Sequence, residues 1–170
     1  MATTYHLWIK PSGKIYDILA KTIAELSNAY QAPFFEPHVT LLNSLPGTEE
    51  EIIERSSQLG ASLQPFEIQL TKPAYGDQYF QCVFLKVHET PAMMNAHELA
   101  EKLFAKDSSP YMPHLSLLYG HYSIDRKDKI VATLPETLCF NFPVDTVALI
   151  QAGSEDPKDW IHILTVPLRR

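Results

Sequence analysis

The hexapeptide Pro37-His38-Val39-Thr40-Leu41-Leu42 returns as Pro113-His114-Leu115-Ser116-Leu117-Leu118, 76 residues further along a chain of 170. Both copies run proline, histidine, aliphatic, hydroxyl, leucine, leucine. A β-strand sets residues i and i+2 on one face. His38 and Thr40 therefore point one way while Val39 and Leu41 point the other, and His114 and Ser116 are divided from Leu115 and Leu117 in the same manner. The proline ahead of each histidine has no amide to donate, which suits the start of a strand. The repeat predicts two short strands, each offering an apolar face to a core and an imidazole beside a hydroxyl on the other face.

The surroundings repeat as well. Residues 4–10 alternate and read as a strand ended by Pro11-Ser12-Gly13. Ile15, Ile18, Leu19, Ile23, Leu26 and Tyr30 then recur at helical spacing. After the first hexapeptide, Thr48 followed by Glu49, Glu50 and Glu51 opens a second helix, which Gly60 is expected to end. Residues 65–72 and 79–87 read as a hairpin around a turn from Pro73 to Asp77. Thr90-Pro91 caps a third helix running to about Lys106, and residues 123–134 form a fourth after the second hexapeptide. Strands at 144–152 and 160–167 close the chain. Each half thus holds a helix leading into the repeated strand, a second helix and a pair of strands, the signature of an internal duplication. The expected fold is α+β: a single bilobal domain over 1–170, each half building an antiparallel sheet with helices on its outer face, and a groove between the lobes.

Formal net charge is −6, from 14 Lys and Arg against 20 Asp and Glu, and the basic residues are scattered. That balance argues against a long nucleic acid as partner and leaves room for a small phosphate ester. No segment has the apolar length of a signal peptide or membrane span, so a cytoplasmic protein with no membrane partner is expected, and a monomer. Cys82 and Cys139 lie in the apolar runs FQCVFL and TLCFNF and are expected to be buried free thiols.

Two lobes related by an approximate two-fold axis would bring two histidines and two hydroxyls around one point. Histidine titrates near neutrality, so one ring can take a proton while the other gives one. Such a pair suits hydrolysis of a strained phosphodiester, with His38 and His114 as acid and base and with Thr40 and Ser116 holding the non-bridging oxygens. No carboxylate or cysteine stands at ligand spacing from either histidine except Glu36, across Pro37, so neither a metal nor another cofactor is expected. His6, His88, His97, His121 and His162 have no repeated context and read as surface or structural; His6 shares a strand face with Trp8.

His38-Val39-Thr40-Leu41 and His114-Leu115-Ser116-Leu117 resemble the paired H-x-[ST]-aliphatic motifs of the two-histidine (2H) phosphoesterases. The strand Tyr5-His6-Leu7-Trp8 with Pro11, the run Tyr79-Phe80-Gln81-Cys82-Val83-Phe84 and Leu117-Leu118-Tyr119 are similar to the cyclic phosphodiesterase branch of plants and yeast. The resemblance implies a bilobal fold and a small cyclic phosphate nucleotide as substrate. It implies opening of ADP-ribose 1″,2″-cyclic phosphate to the 1″-phosphate and of nucleoside 2′,3′-cyclic phosphates to 2′-phosphates. It further implies His114 as base and His38 as acid, an order the residues alone leave open, and Trp8 and Tyr119 as aromatic neighbours of the nucleotide. Tyr119 has the opposite parity from His114 and reaches the site only if the strand bends before Gly120. Two other functions fit the same motifs: an RNA 2′,3′-cyclic phosphodiesterase of the ligase-T type, and a nucleotide-binding module without turnover.

Overall fold

The two repeated strands lie side by side at the centre of the molecule. The computed structural model describes residues 3–169. Its strands are β1 (Thr4–Ile9), β2 (Val39–Leu42), β3 (Phe66–Tyr75), β4 (Val83–Val87), β5 (His114–Leu118), β6 (Asn141–Val144), β7 (Thr146–Ala152) and β8 (Trp160–Pro167). Its helices are α1 (Gly13–Tyr30), α2 (Glu49–Ser62), α3 (Pro91–Phe104) and α4 (Ile124–Thr133). The strands join in the order β6-β3-β4-β5-β2-β1-β7-β8, and every neighbouring pair is antiparallel.

The α+β class stands, but the strands form one eight-stranded sheet, with a lobe on either side of its centre, and the halves of the chain do not each build their own sheet. Strands β3 and β4, from the first half, run beside β5, whereas β7 and β8, from the second, extend β1. Each lobe is therefore made from both halves. The lobes meet at β2 and β5, where Val39 pairs with Leu115. An unpaired strand edge leaves donors and acceptors open, and here each lobe closes the inner edge of the other.

Strand parity divides the sheet as the repeat requires. Val39, Leu41, Leu115 and Leu117 are fully buried in one core with Leu7, Ile9, Leu19, Ile23, Ile52 and Phe104. Each such side chain contributes roughly 1.5–3 kcal/mol on burial. Helix α1 packs on β5, α3 on β2 and β3, α4 on β3 and β4, and α2 on α3, β7 and β8. Among the described residues no helix is long and apolar enough to cross a membrane.

Caps fall where the sequence places them. Thr48 and Glu51 form a reciprocal capping box on α2, and the Thr90 hydroxyl accepts from the Met93 amide with Pro91 in the first turn of α3. Three local expectations are corrected. Helix α2 does not stop at Gly60 but continues to Ser62. A Cβ on Gly60 would lie 2.3 Å from Val166 Cγ1 and 2.5 Å from the Pro167 carbonyl oxygen, so this glycine serves close packing of helix on strand. Pro73 does not begin a turn: β3 runs through it, opposite Leu85, where the register shifts and a missing donor is tolerated. The true connection is residues 76–82, with a 3₁₀ turn at Tyr79–Gln81. Cys82 is buried as expected, but Cys139 is exposed, because it follows the 3₁₀ turn Glu136–Leu138, whose Leu138 takes the place in the core.

Gly60→Ala is expected to lower stability by about 1–3 kcal/mol through overpacking against β8, read as an earlier urea midpoint. An unchanged midpoint would show that α2 and β8 can move apart without cost.

Candidate active site

The face of the sheet opposite the helices carries a cavity of about 510 Å³. All six residues singled out in the sequence line it: His38, Thr40, His114, Ser116, Trp8 and Tyr119. Because Val39 lies opposite Leu115 in an antiparallel pair, one further step of register sets His38 across from Ser116 and Thr40 across from His114. Each histidine thus faces the hydroxyl of the other motif, about 4.5–5.5 Å away between Cβ atoms for directly opposed residues.

The two imidazoles are oriented by one device used twice. His38 Nδ1 donates to the Glu36 carbonyl at 2.7 Å, and His114 Nδ1 donates to the Met112 carbonyl at 2.9 Å. The acceptor sits two residues back in each case, across a buried proline. A carbonyl can only accept, so Nδ1 carries a hydrogen and Nε2 keeps the lone pair in the neutral ring. Among the described residues no buried side-chain nitrogen or oxygen lacks a partner, and neither Nε2 is bonded to protein, so both open to the cavity.

Their surroundings differ. His38 is 7% exposed and lies flat on the Trp8 indole, 3.5 Å between centroids and 8° between planes, with the edges of Phe35 and Trp160 nearby. Burial pulls it down to about 3, partly opposed by the Glu36 carbonyl and reinforced by His114, His6 and Lys10. His114 is less enclosed, with Phe84 at 5.2 Å. Burial lowers it too, against the bond to the Met112 carbonyl.

The hydroxyls are not equivalent either. Ser116 Oγ donates to the Phe80 carbonyl at 2.7 Å, which ties the 3₁₀ turn over the cavity to the second motif. The Thr40 hydroxyl makes no hydrogen bond among the described residues, while its carbonyl accepts from Tyr111 at 2.8 Å. Thr40 is therefore the ready donor to an anion, and Ser116 must release Phe80 before it can donate.

Trp8 faces the cavity as its parity with His6 requires, but at 5% exposure, with one face on His38, it has no free face for a base. Tyr119 follows the last residue of β5, just before Gly120 at φ 145°. The chain bends there, so Tyr119 reaches the cavity wall despite its parity, with one face stacked on Phe35 at 3.7 Å.

Several lining residues were not singled out. Phe80 is 37% exposed and stands edge-on to Tyr119 at 5.0 Å. Trp160 lies 6.3 Å from both rings and is pinned by its Nε1 donating to the Ser154 carbonyl. No sequence feature marked it: Trp160 opens β8 opposite Ala152, itself a cavity residue, a pairing that only the fold provides. His6 also lines the cavity. It accepts from the Ser44 amide and contacts Thr4 Oγ1 through its other nitrogen, and burial followed by the charge of Lys106 lowers it to about 4. His97 proves structural: it is buried, stacked on Tyr111, and donates to the Leu41 carbonyl of β2. His88, His121 and His162 are exposed. Among the described residues no group of three His, Cys, Asp or Glu side chains converges as a metal site.

His6 and His38 are neutral when buried and charge readily once unfolded. Their folded values lie below the unfolded one near 6.5, so the unfolded chain binds more protons between about pH 6.5 and pH 3–4. Stability is complete above that window and falls as pH drops through it, by at most about 1.4 kcal/mol per pH unit for each ring. Urea midpoints measured from pH 7.5 to 4.5 should decline, and less steeply in His38→Gln; an identical slope in the variant would show that His38 is not held neutral.

Comparison with known proteins follows the same line. Residues 1–149 match the family model described as cyclic phosphodiesterase-like protein. A cyclic phosphodiesterase of Arabidopsis thaliana is 30% identical over 157 residues, spanning 89% of this chain and 87% of that protein. A 2′,3′-cyclic-nucleotide 3′-phosphodiesterase of Yarrowia lipolytica is 29% identical over 135 residues, spanning 73% of this chain and 60% of that one. Among solved structures, E. coli LigT complexed with 3′-AMP superposes with a TM-score of 0.72 at 14% identity over 99% of both chains, a likeness of fold. With its duplicated histidine and hydroxyl motifs meeting across one cavity, the chain belongs to the cyclic phosphodiesterase-like family.

Proposed function

We propose that the protein is a metal-independent hydrolase of small cyclic phosphate nucleotides, with His38 and His114 as its acid and base. The observation that carries this reading is the pair of imidazoles held by the same backbone device, each with Nε2 open to one cavity and each opposite a hydroxyl. The cyclic phosphate sits between the rings, and Thr40 donates to a non-bridging oxygen. In the free protein burial keeps both rings short of protons. A bound phosphodiester anion favours the charged form of its neighbours, so substrate itself recruits the proton that one ring must carry.

We assign it to His38, because an imidazolium lying flat on Trp8, 3.5 Å between centroids, gains a cation–π contact that offsets part of the burial, whereas the Phe84 ring lies farther from His114, at 5.2 Å. His114 Nε2 takes a proton from water as the water oxygen bonds to phosphorus. The bond from phosphorus to one ribose oxygen breaks, and His38 Nε2–H protonates that oxygen. Water is consumed, one proton passes from His114 to His38 through solvent, and the site returns to its starting state. The product is a 2′-phosphate from a 2′,3′-cyclic nucleotide, or a 1″-phosphate from ADP-ribose 1″,2″-cyclic phosphate.

The exposed Phe80 ring and Trp160, rather than Trp8, offer aromatic surface for the nucleoside. No Lys or Arg is among the lining residues, and Glu155 is the carboxylate there, which favours a small ester over a long RNA strand. The diphosphate arm of an ADP-ribose substrate could meet Lys106, whose ammonium donates to the carbonyl of the cavity residue Ser44.

Hydrolysis of 2′,3′-cyclic AMP, ADP-ribose 1″,2″-cyclic phosphate and an RNA ending in a cyclic phosphate, each with EDTA, tests this. Turnover should survive chelation, follow a bell-shaped pH profile, and fall by roughly 10²–10⁴ in His38→Ala and in His114→Ala. Loss on chelation, or a full rate in either variant, would sink the mechanism. Preference for RNA ends would favour the ligase-T type of activity, and binding of the nucleotides without turnover would favour a binding module.

A further inference from the structure

The two motifs differ at one position that their shared geometry brings forward. The residue whose carbonyl orients each imidazole is Glu36 in the first motif and Met112 in the second. The Glu36 side chain is fully engaged: Oε2 accepts from Lys10 Nζ at 2.7 Å and Oε1 from the Tyr16 hydroxyl at 2.9 Å. Lys10 follows β1 and Tyr16 projects from α1, so three elements are pinned at the base of the His38 loop. The Lys10 side chain is about three-quarters buried in this pair, and methionine offers nothing similar beside His114.

We propose that Glu36 is a positioning residue that makes His38 the proton donor of the pair, by aiming the ring through its carbonyl and by neutralising Lys10 through its carboxylate. This rests on the two-histidine reading above and adds to it a reason why the proton runs in one direction. Without Glu36, an uncompensated ammonium would stand near His38 and oppose its protonation. Without Lys10, an uncompensated carboxylate would favour it. The charges and titratable groups bearing on this corner are Lys10, Glu36 and Tyr16, with Asp17 beside Tyr16 on α1, and His6 and His114 on the cavity side. Burial opposes ionisation of Glu36, but the bonds from Lys10 and Tyr16 outweigh it and hold the carboxyl below its usual range. Tyr16, pushed up to about 12 by burial and by Glu36, stays a donor. The carboxylate is thus a fixed charge over the working range, and the variable is His38.

The experiment compares wild type with Glu36→Gln, Lys10→Met and the double variant, in two readouts. In the kcat profile for 2′,3′-cyclic AMP, the high-pH limb reports loss of the proton from the acid. It should move down by roughly half a unit to one unit in Glu36→Gln, up by a similar amount in Lys10→Met, and back towards wild type in the double variant, while the low-pH limb stays in place. Opposite shifts that cancel are an electrostatic signature that loosening of structure does not produce. The second readout, NMR titration of the His38 ring with 2′-AMP bound, needs no turnover and should show the same ordering. Shifts of the same sign in both single variants, unmoved limbs, or a His38 titration indifferent to all three changes would overturn the proposal. A wild type that binds 2′-AMP without hydrolysing the cyclic nucleotide would refute the hydrolase reading, and the NMR ordering would still decide the role of Glu36.

Discussion

The pairing of Val39 with Leu115 is the constraint on which the rest of the structure depends. It is a short contact, one strand edge against another, yet it fixes three things together. Both apolar faces turn to the core, both imidazoles turn to the cavity, and each histidine is set across from the other motif's hydroxyl. A slip of one residue would turn a buried aliphatic into the cavity and a histidine into the core. The core leucines therefore guard the register of the cavity: Leu41 and Leu117 are fully buried, and that burial makes the alternative register costly.

The second level of control is rotational. A strand places a side chain on a face but leaves its ring free to turn, and here the freedom is removed from behind. In both motifs the carbonyl two residues earlier takes Nδ1–H. The intervening proline shapes the local chain, and the ring presents a defined nitrogen. Strand β2 in turn is held at its own carbonyls, Thr40 by Tyr111 and Leu41 by His97. A histidine without a repeated context thus acts as a fastener for one that has it.

The local and periodic parts of this were legible in the sequence. Parity along a strand predicted which faces His38, Thr40, His114 and Ser116 share, and cap chemistry at Thr48 and Thr90 located two helix starts. What failed was non-local. The exchange of β3 and β4 for β7 and β8 between lobes depends on which edges meet in space, and two equivalent halves offer no local cue to whether they pair within or across. Gly60 read as a helix stop because its local meaning is flexibility, whereas its role depends on Val166 and Pro167, more than 100 residues away. Most of the aromatic wall escaped for the same reason: Phe80 and Trp160 come from segments remote from Tyr119 and converge with it only in the fold.

In the proposed mechanism the same asymmetries give a site with two like histidines its direction. A perfectly two-fold pair would present equal rings to the phosphate, and acid and base could exchange roles freely. This chain breaks that equality with ordinary residues: Trp8 beneath one ring, Phe84 near the other, glutamate behind one and methionine behind the other. None of them reduces the burial that keeps the free rings neutral. In the proposed mechanism they bear on which ring accepts charge once an anion arrives, and the anion supplies the driving force. On that proposal a cavity lined without lysine or arginine is an advantage, because a fixed cation beside the phosphate would offset the negative charge that favours a protonated His38.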